Sequence, residues 1–177
     1  GNFFQGHPLG IIDSGKTVIE WMNKIGYDAL VPGREDFIFG YENLVSLSNI
    51  ANFPFLASNL IYKDTQESVF KPYTIIEKDN IKIGIIGLVQ SNMKDFVLKK
   101  NLNKLELIPE IKSLNQWIPI INGEEVDIII LLSSLGVPWE REKIYKNFEK
   151  KYLEVEDINN YKCNNSIELS FFVNNVD

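Results

Sequence analysis

The two longest apolar runs, near Ile83 to Val89 and Val126 to Leu132, constrain this chain most. Each is strand-sized, and neither approaches the ~20 apolar residues a helix needs to cross a bilayer. Both are therefore read as buried strands. The first has an obvious partner. Tyr73 to Glu77 and Ile81 to Val89 are joined through Lys78-Asp79-Asn80, a turn-forming linker, and the pair predicts a β-hairpin. Gly84 and Gly87 lie inside the second strand and predict close backbone packing. They are no phosphate loop, because neither GK[ST] nor GxGxxG follows.

Helical stripes alternate with these strands. Ser14 to Ile25 reads as a helix capped by Ser14, with Val18, Trp21, Met22 and Ile25 on one face and Gly26 ending it. Tyr27 to Val31 follows as a strand. Gly40 to Ala51 reads as a helix with Leu44, Leu47 and Ile50 inward, and Phe53 to Leu60 as a buried strand. Leu105 to Ile121 reads as a helix that Pro119 must bend or end. Trp139 to Val155 is a charged helix with an inner stripe of Trp139, Ile144, Phe148 and Tyr152. Ile167 to Val173 reads as a last strand, and residues 1–10 and 159–165 as loops.

With 177 residues and 45% hydrophobic content, the chain is long and apolar enough for one domain, 1–177, with a sizeable core. A net charge of -6 without a long basic run sets nucleic acid aside as a partner. The single cysteine, Cys163, excludes an internal disulfide and reads as an ordinary thiol. The single histidine, His7, sits in a loop; such a residue is more often at the surface or hydrogen-bonded than a metal ligand, and no second histidine could join it.

The stretch that bears on function is Gly26 to Gly40. An apolar run feeds the Pro32-Gly33 turn, and Arg34, Glu35 and Asp36 come directly after it. A strand that ends in a glycine turn commonly presents side chains into a cleft; three solvated charges on a surface loop is the plainer alternative. The segment resembles the block GYDAxxxGNHEFDxG of the calcineurin-like metallophosphatases, in the bacterial 5′-nucleotidase / 2′,3′-cyclic phosphodiesterase family. Gly26-Tyr27-Asp28-Ala29, Gly33, Phe37 and Gly40 keep its frame. Gly1 to Leu9 is similar to GDxxQGxPL, Phe53 to Asn59 to FPxLxAN, and Leu132 to Gly136 to LSHxG. Phe70 to Ile75 and Ile81 to Leu88 resemble the family as well. The likeness covers 1–136 closely and 137–177 loosely.

This resemblance implies an α/β fold, the four-layer α/β/β/α sandwich of metallophosphatase type. It also implies two divalent metal ions, a phosphoric-ester substrate and an extracytoplasmic location. The chemistry departs from the frame. Asn2 stands where the family has the Asp that bridges the metals, and Arg34 where it has an Asn ligand. Glu35 stands where it has the catalytic His, Asp36 where it has a Glu, and Ser134 where it has a metal-binding His. Under a looser alignment, Asn174 and Val176 replace the histidines of GHxH. A strand ending in DxH before Gly1 and a substrate domain after Asp177 belong to the family pattern, so the chain reads as a fragment or a mature portion.

A dinuclear centre clamps the attacking and leaving oxygens between cations ~3.5–4 Å apart, and needs anionic ligands and imidazoles around it. Asn2 removes the bridging anion and Arg34 adds a fixed cation. Two unit charges ~4 Å apart at an effective dielectric of ~20 interact by about 4 kcal/mol. The expectation is therefore a scaffold without a metal centre and with no cofactor. Such a domain would serve binding or structure, with a phosphorylated small molecule or a protein as partner, and Arg34 is the candidate anion contact. The competing expectation is an active metal-dependent nucleotidase with unusual ligands, since Glu35 and Asp36 are carboxylates and Asn2 can coordinate through oxygen.

Overall fold

A computed structural model of the chain describes residues 1–3 and 8–173. Five strands and six α-helices fall in the order α1 (Pro8–Ile12), α2 (Lys16–Ile25), α3 (Tyr41–Ile50), β1 (Leu60–Tyr62), β2 (Tyr73–Lys78), β3 (Ile81–Leu88), β4 (Leu105–Leu107), α4 (Glu110–Gly123), β5 (Ile128–Ser133), α5 (Arg141–Tyr152) and α6 (Ser166–Ser170). The expected hairpin is present. β2 pairs antiparallel with β3, and Asp79 and Asn80 both take positive φ. That conformation matches the right-handed twist of the flanking strands, and Asp and Asn tolerate it. β5 then adds to the far side of β3 in parallel register, Ile83 opposite Ile128 through Leu88 opposite Ser133. α4 supplies the crossover that a parallel pair requires. β1 and β4 form a second, two-stranded antiparallel sheet.

Two apolar clusters lie on either side of these strands. One joins Ile19 and Met22 of α2 and Tyr41, Leu44 and Leu47 of α3 to Leu30, Val31, Phe53, Phe55 and Leu60. The other joins Ile111, Leu114, Ile118 and Ile121 of α4 to Ile86, Leu88 and Ile129. This is the expected mixed α/β architecture, with strands held between the α2–α3 pair and α4. The strand glycines permit it. A Cβ on Gly87 would come within 2.6 Å of the Leu56 backbone, and one on Gly84 would lie 2.5 Å from Ile121.

Several local expectations are corrected. α2 begins at Lys16 behind two left-handed residues, Ser14 and Gly15, and Ser14 does not cap it. Asp13 does that work, accepting from the Thr17 N–H at 2.7 Å and the Thr17 hydroxyl at 2.5 Å. The helix is also rotated from the expected face. Ile19 and Met22 are buried, whereas Trp21 and Ile25 are exposed, as is Ile50 of α3. Tyr27 to Val31 makes only a single bridge, Leu30 to Phe55. Leu105 to Leu107 is a strand, and α4 runs through Pro119 to Gly123. Trp139 lies outside α5 and is fully exposed, leaving Phe148 as its buried residue. The expected last strand is α6. Asn165 accepts from the Glu168 N–H at 3.0 Å, an N-cap that favours the helix over extension. His7, Asn174 and Val176 fall outside the described residues.

Candidate functional site

The apolar segment at Leu30 and Val31 ends in Pro32-Gly33, and residues 34–39 coil into a 3-10 turn. Its charged residues go to different environments. Asp36 is fully buried, and three backbone N–H groups point at its carboxylate. Those of Asn2 and Gly33 donate to Oδ2 at 2.7 and 2.8 Å, and that of Phe3 donates to Oδ1 at 2.8 Å. Burial dominates the carboxyl's proton affinity and raises its pKa to about 6, against the opposing pull of these N–H groups and of the Gly1 amino group.

Asn2, with φ 59°, closes the reciprocal contact: its Oδ1 accepts from the Glu35 N–H at 3.0 Å. Residues 1–3 and 33–36 are thus stapled by three hydrogen bonds, all through backbone N–H donors, and the Gly33 N–H braces the same carboxylate from within its own turn. The staple also explains Gly33. A Cβ there would sit 2.7 Å from the Asn2 nitrogen and 2.8 Å from its Cγ, so the loops could not approach.

Arg34 turns outward. Its Nε donates to Glu35 Oε1 at 3.0 Å, and its guanidinium lies 4.9 Å from the centre of the Phe96 ring. Both partners of the ion pair are partly solvated, which places its contribution to stability at roughly 0–1 kcal/mol. Ser134 sits at the end of β5 and belongs to a different junction: its Oγ accepts from the Gln90 N–H at 3.0 Å, and its own N–H donates to Leu88 O at 3.0 Å. The five expected positions therefore divide. Asn2, Glu35 and Asp36 interlock, Arg34 joins them through Glu35, and Ser134 ties β5 to the end of β3. Among the described residues, no three His, Cys, Asp or Glu side chains converge in a way that could hold a metal ion.

Sequence reasoning passed over two residues that shape this end of the molecule. Asn59 is fully buried; its Oδ1 accepts from the Val89 N–H at 2.9 Å and its Nδ2 donates to Val89 O at 2.7 Å. The amide thus replaces a missing strand partner and fixes the segment that carries Gln90. Glu110 is fully buried at the start of α4 and accepts from the Ser91 N–H at 2.8 Å. A buried carboxylate cannot be read from a helix-start glutamate, which is solvated in most contexts. Cys163 is buried against α4, and burial, with Glu110 and Glu168 nearby, pushes its thiol pKa up. That keeps it protonated and inert at neutral pH, as the sequence reading expected.

No protein-family profile matches the chain. Individual proteins do. UshA of Yersinia enterocolitica is 28% identical over 137 residues, covering 77% of this chain and 25% of that protein. The trifunctional nucleotide phosphoesterase YfkN of Bacillus subtilis is 29% identical over 158 residues, covering 77% of this chain and 11% of that protein. The crystal structure of the calcineurin-like phosphoesterase YfkN from Bacillus subtilis superposes with a TM-score of 0.75 at 26% identity, over 100% of this chain and 54% of that one. The chain spans about a quarter or less of the length of these two curated relatives. The order of scaffold segments, the mixed α/β fold and these likenesses agree: the chain is similar to the calcineurin-like phosphoesterases of the 5′-nucleotidase branch.

Proposed function

We propose that this chain has lost the dinuclear metal site and the hydrolytic activity of its family, and acts as a binding or structural domain. One observation carries this reading: the oxygens at the positions that match the family's site are engaged within the protein itself. The Asn2 amide oxygen accepts from the Glu35 N–H, both Asp36 oxygens face backbone N–H groups, and the Ser134 hydroxyl accepts from the Gln90 N–H. A pair of dications needs anionic oxygens and imidazoles with free lone pairs. This set offers a neutral amide, a hydroxyl, one carboxylate turned inward and a second, Glu35, paired with the Arg34 guanidinium, and does not fit such a centre.

Arg34 is the position we assign to an anionic ligand, a phosphorylated small molecule in the first instance. The bond to Glu35 uses only Nε, and the side chain is 42% exposed. A guanidinium fork suits phosphate geometry. An extracytoplasmic location is part of the same proposal and rests on the family resemblance alone.

The test is metal analysis of the purified chain after dialysis with Mn²⁺ or Zn²⁺, alongside turnover of p-nitrophenyl phosphate and AMP. The expected result is well under 0.1 equivalent of metal per chain and no turnover above the metal-only blank. Two equivalents of metal with turnover would overturn the proposal and establish the competing nucleotidase reading. Calorimetry with AMP, comparing the parent with Arg34→Ala, tests the anion contact; equal heats would remove Arg34 from it.

A further inference from the structure

The stretch from Lys94 to Lys100 is built differently from the rest of the surface. The chain carries a net charge of -6, yet this stretch holds Lys94, Lys99 and Lys100 against Asp95 alone. Between the lysines stand Phe96 and Leu98, each 63% exposed. Ile38, 56% exposed, joins them from the neighbouring turn, because the Asn101 side-chain amide donates to both Phe37 O at 2.8 Å and Ile38 O at 3.0 Å. Arg34 completes the patch over the Phe96 ring, its charge offset by Glu35.

The base of this stretch is fixed. Met93 is fully buried, and Asn101 and Leu102 are buried. The N–H groups of Phe96 and Val97 both donate to Met93 O, and that of Asn101 donates to Leu98 O. The apolar side chains are therefore presented by an ordered scaffold and lose little freedom on being covered, which lowers the cost of docking.

We infer that residues 94–100, with Ile38, form a peripheral docking surface for an anionic phospholipid bilayer. Three protruding apolar side chains ringed by cations match an interfacial anchor, whose apolar part enters the headgroup boundary while the cations meet anionic lipid. Phe96 and Leu98 stand out from a turn; recognition of a peptide instead uses a groove or a sheet edge into which the partner fits. Charge complementarity supplies the direction. Each lysine near an anionic surface raises the partition coefficient about fivefold, and the acidic remainder of the chain orients this patch toward the lipid.

The test uses the 177-residue chain and sucrose-loaded vesicles of phosphatidylcholine with phosphatidylglycerol stepped from none to about half. Co-sedimentation at low salt is expected to rise with the phosphatidylglycerol fraction and to vanish in roughly 0.5 M salt, where charges are screened within about 4 Å. Lys99→Glu with Lys100→Glu is expected to lower partitioning at least tenfold, and Phe96→Ala with Leu98→Ala by a similar factor. All four side chains are exposed, so thermal melts of both variants should match the parent. Trp139→Ala, which removes an exposed aromatic outside the patch, should partition like the parent. Equal binding to pure phosphatidylcholine, no binding at any composition, or parent-like binding by either double variant would overturn the proposal. So would displacement by millimolar inorganic phosphate, which would identify a free anion rather than a bilayer, or an equal loss in Trp139→Ala.

Discussion

Replacing Asp36 by Asn is the sharpest probe of the loop staple, because burial and hydrogen bonding pull its proton affinity in opposite directions. Burial raises the folded-state pKa from an ordinary 3.8 to about 6. A carboxyl whose folded pKa lies above its unfolded value binds a proton more tightly when folded, so its contribution to stability falls as pH rises from about 4 through 6 and is level above that. The two-unit shift corresponds to about 3 kcal/mol at full extent, and to about 2–3 kcal/mol between pH 4 and pH 7. Asn removes the charge and keeps the shape. With its carbonyl at the Oδ2 position it retains the bonds from Asn2 and Gly33, but its NH₂ then faces the Phe3 N–H. The lost bond, of roughly 1.5–3 kcal/mol to a charged group, nearly offsets the relief of charge burial at pH 7. Urea titrations of parent and variant at half-unit steps from pH 4 to 7.5 isolate Asp36, since the other carboxylates cancel in the difference. The parent should gain about 2–3 kcal/mol on the variant as pH drops from 7 to 4, with the two close to equal at pH 7. A difference that does not change with pH would refute the buried, ionised Asp36. A difference of opposite sign would mean that the three N–H groups outweigh burial.

Gly33→Ala should destabilise the chain by roughly 1–3 kcal/mol, since its Cβ would press on Asn2; faster amide exchange at Asn2 and Phe3 than elsewhere would localise the damage to the staple. Asn59→Ala leaves the Val89 N–H and carbonyl unpaired in the core and should cost about 2–4 kcal/mol by urea unfolding. A cost under 1 kcal/mol would show that another group takes over the pairing.

Much of the fold was legible in the residues themselves. The apolar runs, the Asp79-Asn80 turn and the glycines at 84 and 87 specify local geometry through sterics and burial that act within a few residues, and β2, β3 and β5 appear where those signals put them. The order of scaffold segments also carried the family. Local signals were insufficient where two states compete closely. Ile167 to Val173 has strand-like composition, but the amide of Asn165 caps a helix there. α2 carries five apolar residues on one broad face, and packing in the cluster with Leu30 and Val31 buried Ile19 and Met22 of that face while leaving Trp21 and Ile25 exposed.

For the candidate site, the sequence determined which chemical groups stand at the positions that match the family's site: an amide at 2, a guanidinium at 34, carboxylates at 35 and 36, and a hydroxyl at 134. Only the tertiary structure decided how those groups are used. Asn2 meets the Glu35 N–H, and Asp36 meets the N–H groups of residues 2 and 3, because the fold brings residues more than thirty positions apart into contact. A hydrogen bond depends on distance and direction at its two ends, and for loops so far apart in sequence the packing of strands and helices between them sets both.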